Sequence, residues 1–185
     1  MSGFLNTRAN CVTDAHNTIG SGWLDVITLE TVVASTPLIS IDLLVQNEHG
    51  EYLVGLRNNR PAQGYWFVPG GRVLKNETLD DAFRRLTYEE LGEELERSQA
   101  LFKGLYEHFY DDSVFGEKPG THYIVLAHQL QVDQAQICLS EQQHSQSQWI
   151  APEAIGALNT HRFTRDYFEP HHVRRTLRYH PTPDY

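Results

Sequence analysis

The chain has 185 residues, 40% hydrophobic and 21% charged, with a formal net charge of −9. That length suits one domain with a single core and a modest extension, and the composition is that of a soluble globular protein rather than a disordered one. An acidic balance excludes the basic footprint of nonspecific nucleic-acid binding. No apolar stretch approaches the ~20 residues that span a bilayer, so neither nucleic acid nor a membrane is an expected partner.

Residues 1–22 read as a poorly patterned extension rich in Asn, Thr, Ser and Gly, ending at Gly20-Ser21-Gly22. The first ten residues hold one arginine and no apolar run fit for a signal peptide. The two cysteines, Cys11 and Cys138, lie far apart without metal-type spacing, so a reducing cytoplasm is the expected location. Leu24, Ile27, Val32 and Val33 predict a short amphipathic helix over 24–34, stopped by Ser35-Thr36-Pro37. Residues 38–45 predict a buried strand, Glu48-His49-Gly50 a turn, and residues 52–56 the returning strand. A polar loop with two arginines and a proline occupies 57–64, and Trp66-Phe67-Val68-Pro69 runs extended into Gly70-Gly71.

A helix is expected over 78–91. Thr78 with Asp81 three residues on resembles a capping box, and Gly92 is a natural stop. Two further strands are expected near 100–110 and 122–132, a short one at 148–150, and a helix near 152–158. The mixed order of strands and helices reads as α+β, one domain over 23–170, followed by a solvated tail at 171–185 whose arginines and histidines belong to surface.

The chemistry concentrates between Gly70 and Gly92. A glycine pair after a strand lets backbone approach a ligand closely, and here it leads into a helix. That helix carries Glu89 and Glu90 near its C-terminal end, and carboxylate and backbone oxygens are what a hard cation such as Mg²⁺ prefers. On residue type alone, an ordinary loop and a solvated helix face explain the stretch about as well as a metal site.

Gly71, Glu77, Arg85, Glu89, Glu90 and Gly92 stand at the intervals of the Nudix box, and the chain from about 24 to 168 resembles the Nudix hydrolase family. The resemblance implies an α/β/α sandwich with a mixed sheet between helices. One departure stands out. Where the box has Glu directly after Arg, this chain has Leu86, and positions 86 and 90 share a helix face. The altered box resembles that of GDP-mannose mannosyl hydrolases. So do Ser35-Thr36-Pro37-Leu38, residues 59–72 (NRPAQGYWFVPGGR), His108-Phe109-Tyr110-Asp111-Asp112, Thr121-His122-Tyr123 and Gln143-His144.

That resemblance implies hydrolysis of GDP-mannose, or of GDP-glucose, to GDP and free hexose. Water attacks the anomeric carbon with inversion, and Mg²⁺ is held by the Gly70 carbonyl, Glu90 and Gln143; Mn²⁺ also accepts oxygen ligands. His144 is the expected general base, since imidazole titrates near neutral pH. Arg57 and Arg72 are the expected diphosphate clamps, because a guanidinium matches phosphate oxygens in a fork. Arg60 and Lys75 add to the same positive field. Tyr123 is a candidate donor to the leaving oxygen, and Asp42 and His108 are candidates to contact sugar hydroxyls or orient water. An unpaired carboxylate in an apolar strand is costly, so Asp42 calls for a partner or a function. Glu77 and Arg85 are assigned to a pair that fixes the loop on the helix. The resemblance also implies a homodimer. Two other readings compete: a conventional Nudix pyrophosphohydrolase attacking phosphorus, and a noncatalytic nucleotide-sugar sensor.

Overall fold

The computed structural model describes residues 23–137 and 144–169. The expectations for 1–22, 171–185 and Gln143 lie outside the described residues, and His144 is described in its backbone only. In chain order the elements are α1 (Val26–Ser35), β1 (Leu38–Gln46), β2 (Tyr52–Arg57), β3 (Trp66–Phe67), β4 (Gly70–Arg72), α2 (Leu79–Leu91), β5 (Leu101–Tyr110), β6 (Thr121–Gln131), β7 (His144–Ile150) and α3 (Arg162–Asp166). Short 3₁₀ turns interrupt the connections.

The strand β1 organises the sheet. Its run Leu-Ile-Ser-Ile-Asp-Leu-Leu-Val is buried almost throughout, the pattern of a strand covered on both faces. It pairs in parallel with β6 from Leu38 opposite Tyr123 to Gln46 opposite Gln131. On its other side it meets β2 at Gln46–Tyr52 and β4 at Ser40–Arg72, Ile41–Gly71 and Asp42–Gly70, all antiparallel. Outer strands β5 and β3 close the order β3-β2-β1-β6-β5, with β7 on β2. Among the described residues, no helix is long and apolar enough to cross a membrane.

Strand alternation sends β1 residues to two cores. Ile41, Leu43 and Val45 pack with Ala82, Phe83, Leu86 and Leu91 of α2. Leu44 packs on the opposite side with Phe67, Ile155, Phe163 and Tyr167. The mixed sheet therefore lies between α2 and the C-terminal layer, as the α+β sandwich reading expects.

Helix α2 is bounded by the residues that its sequence singles out. The Thr78 hydroxyl accepts the Asp81 N–H at 3.1 Å and donates to the Asp81 carboxylate at 2.6 Å. Asp81 thus binds the cap's hydroxyl instead of reaching back to its backbone. Gly92 ends the helix at φ 77°, the left-handed region that costs a glycine nothing, and its N–H reaches the Tyr88 carbonyl. Ahead of the helix, Glu77 accepts the Leu74 N–H at 2.9 Å and the Arg85 guanidinium at 2.7 Å. Arg85 also donates to the Arg72 carbonyl at 2.8 Å, so the expected pair does pin the glycine loop to the helix.

Three expectations are corrected. Helix α1 forms on its Asp25 cap, but only Val33 is buried while Ile27 is 78% exposed; its apolar face finds little cover among the described residues. The helix expected at 152–158 is a 3₁₀ turn, Pro152–Ala157. The chain leaves it to bridge β3, where Asn159 accepts the Trp66 N–H at 3.0 Å and His161 donates to the Trp66 carbonyl at 3.1 Å, so no longer helix can build. Strand β7 begins at His144, earlier than the expected 148, because its polar first half takes its order from the ladder with β2 and not from apolar alternation.

Candidate active site

Between the glycine loop, β1, β2 and the β5–β6 pair lies a cavity of about 250 Å³. Asp42, Arg57, Gly70, Arg72, His108 and Tyr123, each singled out in the sequence, all line it. A larger recess of about 640 Å³ sits at the β1–β2 turn, lined by Gln46, Asn47, Glu48 and Asp133 with no arginine or box residue, and its chemistry offers nothing for an anion.

The two glycines are required by close approach. A Cβ at Gly70 would lie 2.5 Å from the Ile41 carbonyl oxygen and 2.9 Å from Asp42 Oδ1. One at Gly71 would lie 2.5 Å from Leu86 Cδ2. Leu86 therefore presses on the glycine loop and forms cavity wall at the box position that normally carries a carboxylate.

Arg57 is held by the loop that follows it. Its N–H reaches the Tyr65 carbonyl and its carbonyl accepts from Gly64, both at 3.0 Å, while Nε donates to the Pro61 carbonyl at 3.0 Å. The guanidinium lies 5.7 Å from the Phe67 ring centre, and that of Arg72 lies 5.6 Å from the Trp23 ring. Neither forms a carboxylate salt bridge among the described residues. The two expected contributors to the positive field part ways, for Arg60 does line the cavity. Arg60 sits 3.6 Å from Asp112, and exposed Lys75 is absent from the cavity wall.

Asp42 is 7% exposed, and burial pushes its carboxyl up to about 7, against the Tyr167 hydrogen bond and the Arg57 charge, with Glu90 adding to the rise. Its partner is the Tyr167 hydroxyl at 2.5 Å, which also meets His108 Nε2 at 3.2 Å. His108 lies stacked on Phe163 with ring centres 4.2 Å apart. Burial pushes the Tyr123 hydroxyl up as well, while Arg72 and Arg57 pull it back, which puts this phenol within reach of both arginine fields. Tyr167 escaped the sequence reading: Asp42 announced that a partner existed, but nothing local pointed 125 positions along the chain.

Glu89 lines the cavity and accepts Arg85 at 2.9 Å, whereas Glu90 is fully buried. Burial raises the Glu89 carboxyl against the pull of Arg85, and the neighbouring Glu90 adds to the rise. Among the described residues no three His, Cys, Asp or Glu side chains form a cage. The donor set at this corner is a backbone carbonyl and carboxylates, which fits a hard cation completed by substrate oxygens. The backbone of His144 stands opposite Arg57, a residue of the cavity wall, in the β2–β7 ladder.

Two histidines in the C-terminal core make acid stability testable. Burial pushes His108 down to about 3 and His161 down to about 4, the latter helped by Arg162 and Arg165. Between those values and ~6.5 the unfolded chain binds more protons at these histidines than the folded one, so their contribution is lost as pH falls. Asp42, raised to about 7, acts in the opposite sense over about pH 4–7. Two histidines against one carboxylate leave net acid destabilisation: thermal unfolding at pH 4.5 should occur below its value at pH 6.5, and His161→Gln should shrink the gap. Equal melting temperatures at both pH values would contradict this balance.

The comparisons agree with the fold and the box. Residues 36–171 match the model of the NUDIX domain. The chain is 42% identical over 127 residues to the low-salt glycan biosynthesis protein Agl8 of Haloferax volcanii, a match covering 69% of this chain and 79% of that protein. The MutT protein of Methanosarcina mazei Go1 superposes with a TM-score of 0.58 at 26% identity, covering 72% of this chain and 92% of that one. The MutT NUDIX hydrolase of Burkholderia pseudomallei does so with a TM-score of 0.60 at 22% identity, covering 72% and 96%. With Gly71, Arg85 and Glu89 of the box lining one cavity and the domain matched over most of the chain, this protein belongs to the Nudix hydrolase family.

Proposed function

We propose that the protein hydrolyses GDP-mannose, or the related GDP-glucose, to GDP and free hexose by inverting attack of water at the anomeric carbon. The observation that carries this reading is Leu86. It lies in the cavity wall against Gly71, where a carboxylate would otherwise join Glu90 in handling metal and proton for attack at phosphorus. A site short of one carboxylate but rich in arginine suits departure of an intact diphosphate. The name of the Haloferax relative, a glycan biosynthesis protein, is in keeping with a nucleotide-sugar substrate.

In this reading Arg57 and Arg72, both in the cavity wall, grip the diphosphate, and Tyr123 donates its hydroxyl proton toward the leaving oxygen. His144 takes a proton from the attacking water on one imidazole nitrogen, and Asp42, beside the glycine loop, orients the water or a sugar hydroxyl. The Gly70 carbonyl, Glu90 and Gln143 would hold Mg²⁺ or Mn²⁺, which when bound supplies positive charge to the diphosphate. The reading includes a cytoplasmic homodimer, supported by the sparse cysteines and by Val26 and Ile27 of α1, 69% and 78% exposed.

The test is hydrolysis of GDP-mannose with Mg²⁺ in ¹⁸O-labelled water, followed by mass spectrometry of the products. Label in free mannose supports attack at carbon. Label in GMP or mannose 1-phosphate replaces this reading with conventional attack at phosphorus, and binding without turnover replaces it with a sensor.

A further inference from the structure

We propose that Tyr167 is a positioning residue of this site: its hydroxyl links His108 to Asp42 in a buried, one-way hydrogen-bond chain that turns the second oxygen of Asp42 toward the cavity. The inference rests on the cavity being the reaction site, and it adds the segment after α3 to the machinery.

Three distant parts of the chain meet here. Asp42 comes from β1, His108 from β5, and Tyr167 follows α3. They are 7%, 3% and 6% exposed, so water has little access and each polar group must be satisfied by the others. The Tyr167 oxygen lies 2.5 Å from Asp42 Oδ2 and 3.2 Å from His108 Nε2. A phenol has one proton to give, and the shorter contact, of the length expected when a hydroxyl donates to a carboxylate, takes it. Toward His108 the same oxygen must then accept, which requires a proton on Nε2. Burial keeps the imidazole neutral, down to about 3, and pushes the phenol well above its usual range, so His108 and Tyr167 retain the proton count that this direction needs, and the chain runs this way in the ionised form of Asp42, whose carboxyl is raised to about 7. The chain runs from His108 Nε2–H to the Tyr167 oxygen, and from the Tyr167 O–H to Asp42 Oδ2.

Packing holds both donors in place. His108 is stacked on Phe163 at 4.2 Å with 5° between ring planes. Tyr106 meets the Tyr167 ring edge-on at 4.7 Å. With Oδ2 fixed by Tyr167, Oδ1 is the oxygen on the Gly70 side, 2.9 Å from where a Gly70 Cβ would be, in a residue that lines the cavity. Asp42 would otherwise be free to turn about its terminal torsion, which is broad for an aspartate. Tyr167 removes that freedom before substrate arrives, and pre-orientation of this kind lowers the barrier without touching the substrate.

The experiment has two arms. In the first, the ring nitrogens of His108 are read by ¹⁵N NMR in the ligand-free protein at about pH 8.5, where Asp42, raised to about 7, is ionised. A proton on Nε2 that is perturbed in Tyr167→Phe is the expected result. A proton on Nδ1 in the wild-type protein reverses the chain and overturns the proposal, whether or not the variant folds. In the second arm, kcat is measured for the wild type, Tyr167→Phe, Asp42→Asn and the double variant, with GDP binding by calorimetry as the affinity readout. Tyr167→Phe should lower kcat by roughly 10-fold or more, the size of one hydrogen bond to a charged group, with GDP affinity retained. In the Asp42→Asn background the same change should cost almost nothing, because the interaction it breaks is already altered. A full independent loss in that background, or an unchanged kcat in the single variant, overturns the positioning role. Should the wild type leave GDP-mannose intact, the functional reading fails by itself. The kinetic arm then uses whichever nucleotide sugar the enzyme turns over, and the NMR arm stands unchanged.

Discussion

Replacing His144 by glutamine is expected to lower turnover by at least ~10²-fold while leaving affinity for GDP near that of the wild type, the usual scale of a lost general base. The position of its backbone supports the choice. His144 opens β7 directly opposite Arg57, and Arg57 is a wall of the cavity that holds Asp42, Arg72 and Tyr123. In an acidic chain with ten histidines, location has to separate a base from bystanders. Several others are accounted for: His108 is bonded to Tyr167, His161 caps α3, and His128 bonds the Leu126 carbonyl. Steady-state kinetics on GDP-mannose with calorimetric GDP binding checks the prediction. Turnover near the wild-type value would remove His144 from the base role, and a parallel collapse of GDP binding would make it a binding residue instead.

Glu90→Gln is expected to raise the Mg²⁺ concentration needed for half-maximal activity far more than Glu89→Gln does, by roughly 10²-fold or more for loss of a direct ligand, since altering even its supporting shell costs ~10–100-fold. The two carboxylates are neighbours in sequence but not in environment. Glu89 is committed to Arg85 in an ion pair at 2.9 Å, and its side chain is 39% exposed. Glu90 is completely buried, and its charge is felt by both Asp42 and Glu89. A carboxamide keeps the shape and removes the charge, so metal titrations of activity, with thermal melts to check folding, separate ligand loss from unfolding. The reverse order of effects would transfer the ligand role to Glu89.

The stretch from Gly71 to Gly92 was legible because its information is local. Helix caps act within one turn, so Thr78 and Gly92 mark the ends of α2 in the sequence and in the structure alike. The Glu77–Arg85 pair and the inward face of Leu86 follow from box spacing and helix geometry. Strands β1, β2, β5 and β6 were visible as apolar runs between turns. The first half of β7 was not, because a polar edge segment gets its order from backbone pairing with β2 and leaves no apolar period. Helix α1 shows the opposite failure: its apolar spacing is real, but spacing does not say what covers it.

The sequence by itself therefore determined the α+β class, the glycine loop and the α2 scaffold, which depend on periodicity, on capping or on box spacing. The family resemblance named Asp42, Arg57, Arg72, His108 and Tyr123, all of which line the cavity. Only the tertiary structure decided which of those residues stay available. It paired Arg60, still in the cavity wall, with Asp112, left Lys75 outside the cavity, set Glu89 apart from Glu90, and joined Asp42 to a tyrosine 125 positions away. Those outcomes depend on strand register and on the parallel crossover from β1 to β6, and contacts of that range leave no trace in any local pattern of residues.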